Sequence, residues 1–306
     1  MILIIGSNEE THSKYLYEKI KSRNIDVEYF DSRLYPNELF LSYEIGDDFS
    51  KYYIKIKDQK IYWKDIKGVW WRWFYGIQRQ RFDGDDCELD NLVYKECKSA
   101  LENLFHITDN NNCNWLNSFE ALSLHQTKGY QLHLLKKQNI RIPKTLFTND
   151  IDAVREFYEQ NNKNVIYKPV LGGAYTQKMS EEDFSKDRIS ALKYSPIQLQ
   201  EYIEGVDIRV YIVGENIYAA KIISSTLDFR KDSQAKIIPI DLPANVKEDC
   251  LKALKILNLR YSGIDIRLNN SGEHVFIEAN PAPMFIYFEN ESKYPISDNI
   301  IEELLK

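Results

Sequence analysis

The sequence predicts a mixed α/β (α+β) fold, on three observations. Residues 1 to about 33 read as strand, helix, strand. Alternating strands dominate from Ile197 to Ser224. Near the C-terminus, Ser262–Arg267 and His274–Pro281 alternate apolar and polar residues around the turn residues Asn269, Asn270, Ser271 and Gly272, which predicts an antiparallel hairpin.

The elements follow in order. Ile2–Ile5 is an apolar run expected as a core strand, Thr11–Ser22 an amphipathic helix and Ile25–Phe30 a second strand. Gly6-Ser7-Asn8 between them lacks the GxGxxG spacing of a dinucleotide site and reads as an ordinary turn. Tyr52–Ile56 and Lys60–Trp63 read as a hairpin, and Val69–Trp73 as a strand whose tryptophans Trp70, Trp71 and Trp73 are expected in a core or interface. Cys87–Leu104 reads as a helix. Asn114–Ser118 reads as a junction, with Ser118 capping a helix that runs to about Lys137 and Asn139 closing it in left-handed geometry. Thr145–Phe147, Val165–Lys168, Ile197–Tyr202, Asp207–Val213 and Ile217–Ser224 read as strands; Asp150–Gln160 and Val246–Leu257 read as helices.

With 306 residues, the chain is long enough for two or three domains. Its formal net charge of -6 argues against a dedicated nucleic-acid binder. No apolar run approaches the roughly 18 residues of a membrane span. The opening Met1–Gly6 is too short and uncharged for a secretory signal, so a cytoplasmic protein is expected. The cysteines Cys87, Cys97, Cys113 and Cys250 form no CxxC pair, and no disulfide is expected. The histidines show no zinc spacing, and His125 and His133 are expected as surface or packing residues of a helix.

The hairpin carries the clearest chemistry. If Ile264, Ile266 and Leu268 face a core, Asp265 and Arg267 point the other way. Glu278 and Asn280 share a face, and a pairing that sets Asp265 opposite Glu278 makes an all-oxygen cluster suited to Mg2+. Lys168 ends an apolar strand beside Gly172-Gly173, a natural phosphate contact without the Walker spacing. Gln200-Glu201-Tyr202-Ile203 leads from a strand into a turn whose backbone can meet an adenine edge. Asp207 and Arg209 share one face of the next strand, as a phosphate clamp or as a surface ion pair.

In this order along the chain (Lys128, Lys168 with its glycine loop, QEYIEG, DIRV, D…ExN), residues 115 to 306 resemble the ATP-grasp superfamily. A closer resemblance is to the ligases of graspetides, the microviridin-type peptides. It is carried by Arg33–Leu41, Val69–Trp73, Asp228-Phe229-Arg230-Lys231 and Tyr294-Pro295-Ile296-Ser297. Two departures stand out: Ala282-Pro283-Met284 replaces the usual glycine and glutamate pattern, and Trp73 replaces an arginine, leaving Arg72.

The resemblance implies an ATP-grasp fold over 115–306, with a central lysine subdomain at 115–195 and a C-terminal metal-binding subdomain at 196–306. An N-terminal α/β pre-ATP-grasp domain would fill 1–114. It implies that Lys128 and Lys168 hold the ATP phosphates. Gln200, Glu201, Tyr202 and Ile203 would border the adenine, with Asp207 near the nucleotide. Asp265, Glu278 and Asn280 would bind Mg2+, as two ions. Arg209 and Arg230 would steady the transferred phosphoryl group, and the Gly172-Gly173 loop would close over the nucleotide. The implied partner is a precursor peptide with a leader segment, acted on by a homodimer, with neither nucleic acid nor membrane involved. The expected reaction activates an Asp or Glu side chain as an acyl-phosphate and forms an ester or amide cross-link. Addition of an amino acid to a small molecule or protein tail, phosphotransfer, and a nucleotide-binding regulator are the alternatives.

Overall fold

The structure is a computed structural model that describes residues 1–46, 48–79, 87–109, 113–125, 127–171, 175–226, 232 and 234–306. It opens with β1 (Ile2–Ile5), α1 (Thr11–Ser22), β2 (Val27–Phe30), β3 (Leu39–Ser42), β4 (Tyr53–Ile56), β5 (Gln59–Tyr62), β6 (Gly68–Trp71), α2 (Cys87–Asp109) and β7 (Asn114–Leu116). The strands β2-β1-β6-β7 form a parallel sheet, and β3-β4-β5 a small antiparallel one. All four residues of β1 are buried, as a central parallel strand covered on both faces requires. Ile2 and Ile4 pack with Leu16 and Ile20 of α1, whereas Leu3 and Ile5 pack with Leu101, Leu104 and Phe105 of α2. The junction expected at Asn114–Ser118 is instead part of this sheet: Asn114 and Trp115 pair with Gly68 and Val69. Its composition is polar only at the strand ends.

The middle of the chain holds α3 (Phe119–His125), α4 (Lys128–Lys137), β8 (Thr145–Thr148), α5 (Ile151–Gln160), β9 (Val165–Pro169), β10 (Gln177–Lys178), α6 (Lys186–Ser190) and β11 (Ile197–Glu201). Ser118 Oγ accepts from Ala121 N at 3.0 Å, and Asn139 takes φ 60°, so both expected caps are present. The helix between them is not continuous. Thr127 leaves helical geometry at φ -112°, ψ 59°, and Lys128 starts a new helix. Strands β10-β9-β11-β8 form an antiparallel sheet. One face packs Val165 and Leu199 on Val154 and Tyr158 of α5.

The last part contains β12 (Gly205–Val213), β13 (Asn216–Ile223), β14 (Lys236–Ile240), α7 (Ala244–Ile256), β15 (Tyr261–Asn269), β16 (His274–Asn280), α8 (Ile286–Ser292) and α9 (Ile296–Leu305). Its antiparallel sheet runs β14-β13-β12-β15-β16. Ile208, Val210, Ile212, Ile264 and Ile266 face a core built with Val246, Cys250, Ala253 and Leu254 of α7. On the opposite face Tyr211 and Val213 join Ile2, Ile4 and Trp70 in one core with Ile296, Ile300 and Leu304 of α9. The N-terminal sheet and the C-terminal sheet therefore share buried surface. Asn117 reinforces the join: its buried Nδ2 donates to Tyr261 O and Pro281 O at 2.6 and 2.7 Å, and its Oδ1 accepts from Arg260 N and Tyr261 N, both at 2.8 Å. Among the described residues, no helix is long and apolar enough to cross a membrane, and Cys97, Cys113 and Cys250 are free.

Candidate active site

A cavity of about 720 Å³ lies between the two large antiparallel sheets. Strand alternation puts apolar residues into the cores behind, so the residues between them face the space. The middle sheet offers Ile166, Lys168 and Gln200; the C-terminal sheet offers Asp207, Arg209, Asp265, Arg267, Glu278 and Asn280.

Asp265 sits directly opposite Glu278 in the β15–β16 pairing, and Arg209 directly opposite Asp265 in β12–β15. The hairpin is not regular. Ile266 pairs with Phe276 but Asp265 with Glu278, so Ile277 is an extra residue, a β-bulge. In strict alternation Phe276 and Glu278 would share a face. The bulge lets Phe276 and Ala279 enter the core while Glu278 and Asn280 face the cavity.

The acidic groups are matched by cations. Arg209 Nη1 donates to Asp265 Oδ1 at 2.6 Å, and Lys128 Nζ to Glu278 Oε2 at 2.8 Å. Arg267 donates to Asp207 Oδ1 at 2.8 Å and to Ile203 O at 3.1 Å. The surface pair between Asp207 and Arg209 is thus replaced by two cross-strand pairs. Burial raises the Asp265 carboxyl above its ordinary range; Arg209 opposes the shift and the Glu278 charge adds to it. Gly263 makes this packing possible, because a Cβ there would lie 2.4 Å from Arg209 Nη2 and 2.7 Å from Pro283 Cβ.

The adenine-edge segment is anchored from behind. Glu201 Oε1 accepts from Arg141 Nη2 at 2.7 Å and from Lys144 N at 2.9 Å. The Tyr202 ring is approached by the Lys178 ammonium, at 4.8 Å, and by the Arg267 guanidinium, at 5.9 Å. Gln200 is buried, and its Nε2 donates to Thr145 Oγ1 at 3.0 Å, but its Oε1 has no partner among the described residues.

The structure therefore gathers Lys128, Lys168, Gln200, Glu201, Tyr202, Ile203, Asp207, Arg209, Asp265, Glu278 and Asn280 around one cavity. Gly172, Gly173 and Arg230, with the rest of Asp228–Lys231, lie outside the described residues. Arg267 shares the face of Asp265, as strand alternation predicts, and lines the cavity too, although the sequence alone assigned it no role. The contribution of the N-terminal module was not assigned from sequence: Arg72 and Trp73 line the cavity, and Trp73, expected in a core or interface, is 49% exposed. Among the described residues, no group of three His, Cys, Asp or Glu side chains gathers as a metal cage. Two carboxylates and an amide oxygen suit instead a cation that takes its remaining ligands from phosphate and water.

Comparison with known proteins agrees with this architecture. Residues 126–304 match the RimK-like ATP-grasp domain, and residues 1–123 match the MvdD pre-ATP-grasp domain. A probable alpha-L-glutamate ligase of Legionella pneumophila (strain Corby) is 26% identical over 202 residues, 62% of this chain and 67% of that protein. The alpha-aminoadipate–LysW ligase LysX of Sulfurisphaera tokodaii is 22% identical over 80% of this chain and 87% of its own. The ATP-grasp ligase PsnB, solved in complex with a minimal precursor, superposes with a TM-score of 0.83 at 28% identity, covering 99% of this chain and 97% of PsnB. The macrocyclase MdnC of Microcystis aeruginosa MRC, at 24% identity and a TM-score of 0.83 over 100% of this chain and 99% of its own, shares the fold. An N-terminal pre-ATP-grasp domain joined to this two-sheet cavity identifies the chain as an ATP-grasp ligase, and it belongs to the RimK-like ATP-grasp family.

Proposed function

We propose that this ligase activates Asp or Glu side chains of a ribosomally made precursor peptide with ATP and joins them to other side chains as esters or amides. The observation that carries the reading is the row Arg209–Asp265–Glu278 with Lys128, set in a cavity whose wall includes Arg72 and Trp73 of the N-terminal module. The likeness to PsnB, a ligase seen with a precursor, extends over both modules, which supports a peptide rather than a small-molecule substrate.

ATP fits the chain's own features. The unpartnered Gln200 Oε1 suits an amino group of the base, and Lys128 and Lys168 suit the phosphates. Two Mg2+ ions held by Asp265, Glu278 and Asn280 would supply charge neutralisation at the phosphates. In the reaction, a peptide carboxylate oxygen attacks the γ-phosphorus, and ADP leaves with the bonding electron pair. A hydroxyl or amine then attacks the acyl carbon, loses its proton, and phosphate departs with the former carboxylate oxygen. Arg209 is fixed by Asp265 where it can stabilise the transferring group, a role shared with Arg230. No protein nucleophile takes part.

The curated relatives support a second reading, amino-acid addition by a glutamate-ligase-like enzyme, through the ATP-grasp half of the chain. Mass spectrometry of candidate precursors incubated with the protein, ATP and Mg2+ separates the two. Loss of about one water per bond is expected from acyl transfer between side chains; gain of an amino acid or of phosphate would contradict the cross-linking reading.

A further inference from the structure

The segment from Asn280 to Phe285 has an unusual set of partners. Asn280 O accepts from Ser262 Oγ at 3.0 Å, Pro281 O from Asn117 Nδ2 at 2.7 Å and Ala282 O from Arg72 Nη1 at 2.6 Å. Pro283 O accepts from the Tyr261 hydroxyl at 3.3 Å, and Met284 O from the Tyr211 hydroxyl. Phe285 N then donates to His12 Nδ1 at 3.4 Å, and Ala282 N to Asn280 Oδ1 at 3.0 Å. Five consecutive carbonyls are thus each held by a side chain from elsewhere in the chain. Two prolines remove further freedom.

This clamped backbone presents one large side chain to the cavity. Met284 is 68% exposed, although Phe285 beside it is fully buried. Tyr287, 56% exposed, and Trp73, 49% exposed, line the same cavity. Their wall is continuous with the polar part that holds Arg209 and Lys128. An exposed methionine on an immobile backbone is a poor structural element but a good adaptable seat for an apolar group.

We propose that Met284 is a specificity-determining residue, which together with Trp73 and Tyr287 seats an apolar side chain of the substrate peptide next to the carboxylate being activated. The inference rests on the peptide-ligase reading and narrows its substrate class to acidic residues with apolar neighbours. The cationic and apolar parts of one cavity match the two parts of such a peptide.

The test uses the full-length protein with Mg2+ and ATP and measures ADP release against synthetic peptides that differ only at the residues flanking one glutamate: leucine, asparagine or lysine. Wild-type protein is expected to show a KM lower by about tenfold for the leucine-flanked peptide, the discrimination typical of one apolar pocket. Met284→Ala should reduce that preference, and Met284→Glu should shift it toward the lysine-flanked peptide. The thermal unfolding midpoint of each variant checks the fold. If Met284→Glu lowers it, Met284→Ala alone decides, because it removes a mostly exposed side chain and adds no charge. Equal KM values for the three peptides, or a preference unchanged in Met284→Ala, overturns the inference while leaving the peptide reading intact. ADP release with free amino acids and with none of the peptides overturns both.

Discussion

Lys128 Nζ lies 2.8 Å from Glu278 Oε2, across the junction between a helix start and the last strand of the C-terminal sheet. With Arg209 on Asp265, it leaves each proposed metal carboxylate facing a protein cation. A free divalent ion must compete with these cations, whereas ATP phosphates draw them away. Metal binding is therefore expected to depend on nucleotide. Lys128→Met should raise the affinity of nucleotide-free protein for Mn2+ by roughly tenfold, the scale of one removed charge contact near a protein surface. The same change should weaken ATP binding. Titration followed by electron paramagnetic resonance checks the first expectation, and unchanged Mn2+ affinity would contradict it.

Gly263 places the row. Its Cβ position lies within 2.7 Å of both the Arg209 guanidinium and Pro283. Arg209 can swing aside, but Pro283 is held by its neighbours' hydrogen bonds. Gly263→Ala should therefore displace Arg209 and lower kcat by about tenfold or more, with a smaller effect on ATP affinity. Equal kcat in the variant would mean that Arg209 does not act from its observed position.

His12 gives a pH dependence to stability. Burial, then the charge of Arg72, pull its pKa from 6.5 down to about 4, so it stays neutral and accepts from Phe285 N. In the unfolded chain it takes up a proton near pH 6.5. Between these values the unfolded state binds more protons, so stability rises with pH across the window. It falls on acidification from about pH 6.5 to 4, by up to about 3 kcal/mol. Denaturant unfolding of wild type and His12→Gln over this range should give a flatter profile for the variant. Parallel profiles would rule out His12 as the source.

The cavity's lining was legible because its residues sit on strands whose other face is apolar: Ile208, Val210 and Ile212 fix where Asp207 and Arg209 point, and Ile264 and Ile266 do the same for Asp265. The bulge at Ile277 was not legible. Alternation alone puts Phe276 on the same face as Glu278, and only cross-strand pairing separates them. Trp73 was expected in a core or an interface, with Trp70 and Trp71, yet β6 ends at Trp71 and the chain emerges into the cavity. The break at Thr127 likewise depends on tertiary position, since Lys128 begins its helix where it can reach Glu278. The clamp on Asn280–Met284 draws on residues as distant in sequence as Arg72 and Asn117, beyond any local pattern.

The central claim is that a peptide carboxylate is activated by phosphoryl transfer in this cavity. The most direct measurement uses a precursor peptide whose side-chain carboxylates carry a heavy oxygen isotope, incubated with the protein, ATP and Mg2+. Because the former carboxylate oxygen leaves with phosphate, one labelled oxygen should appear in the phosphate released for each cross-link formed. Cross-linked peptide accompanied by unlabelled phosphate would contradict the account.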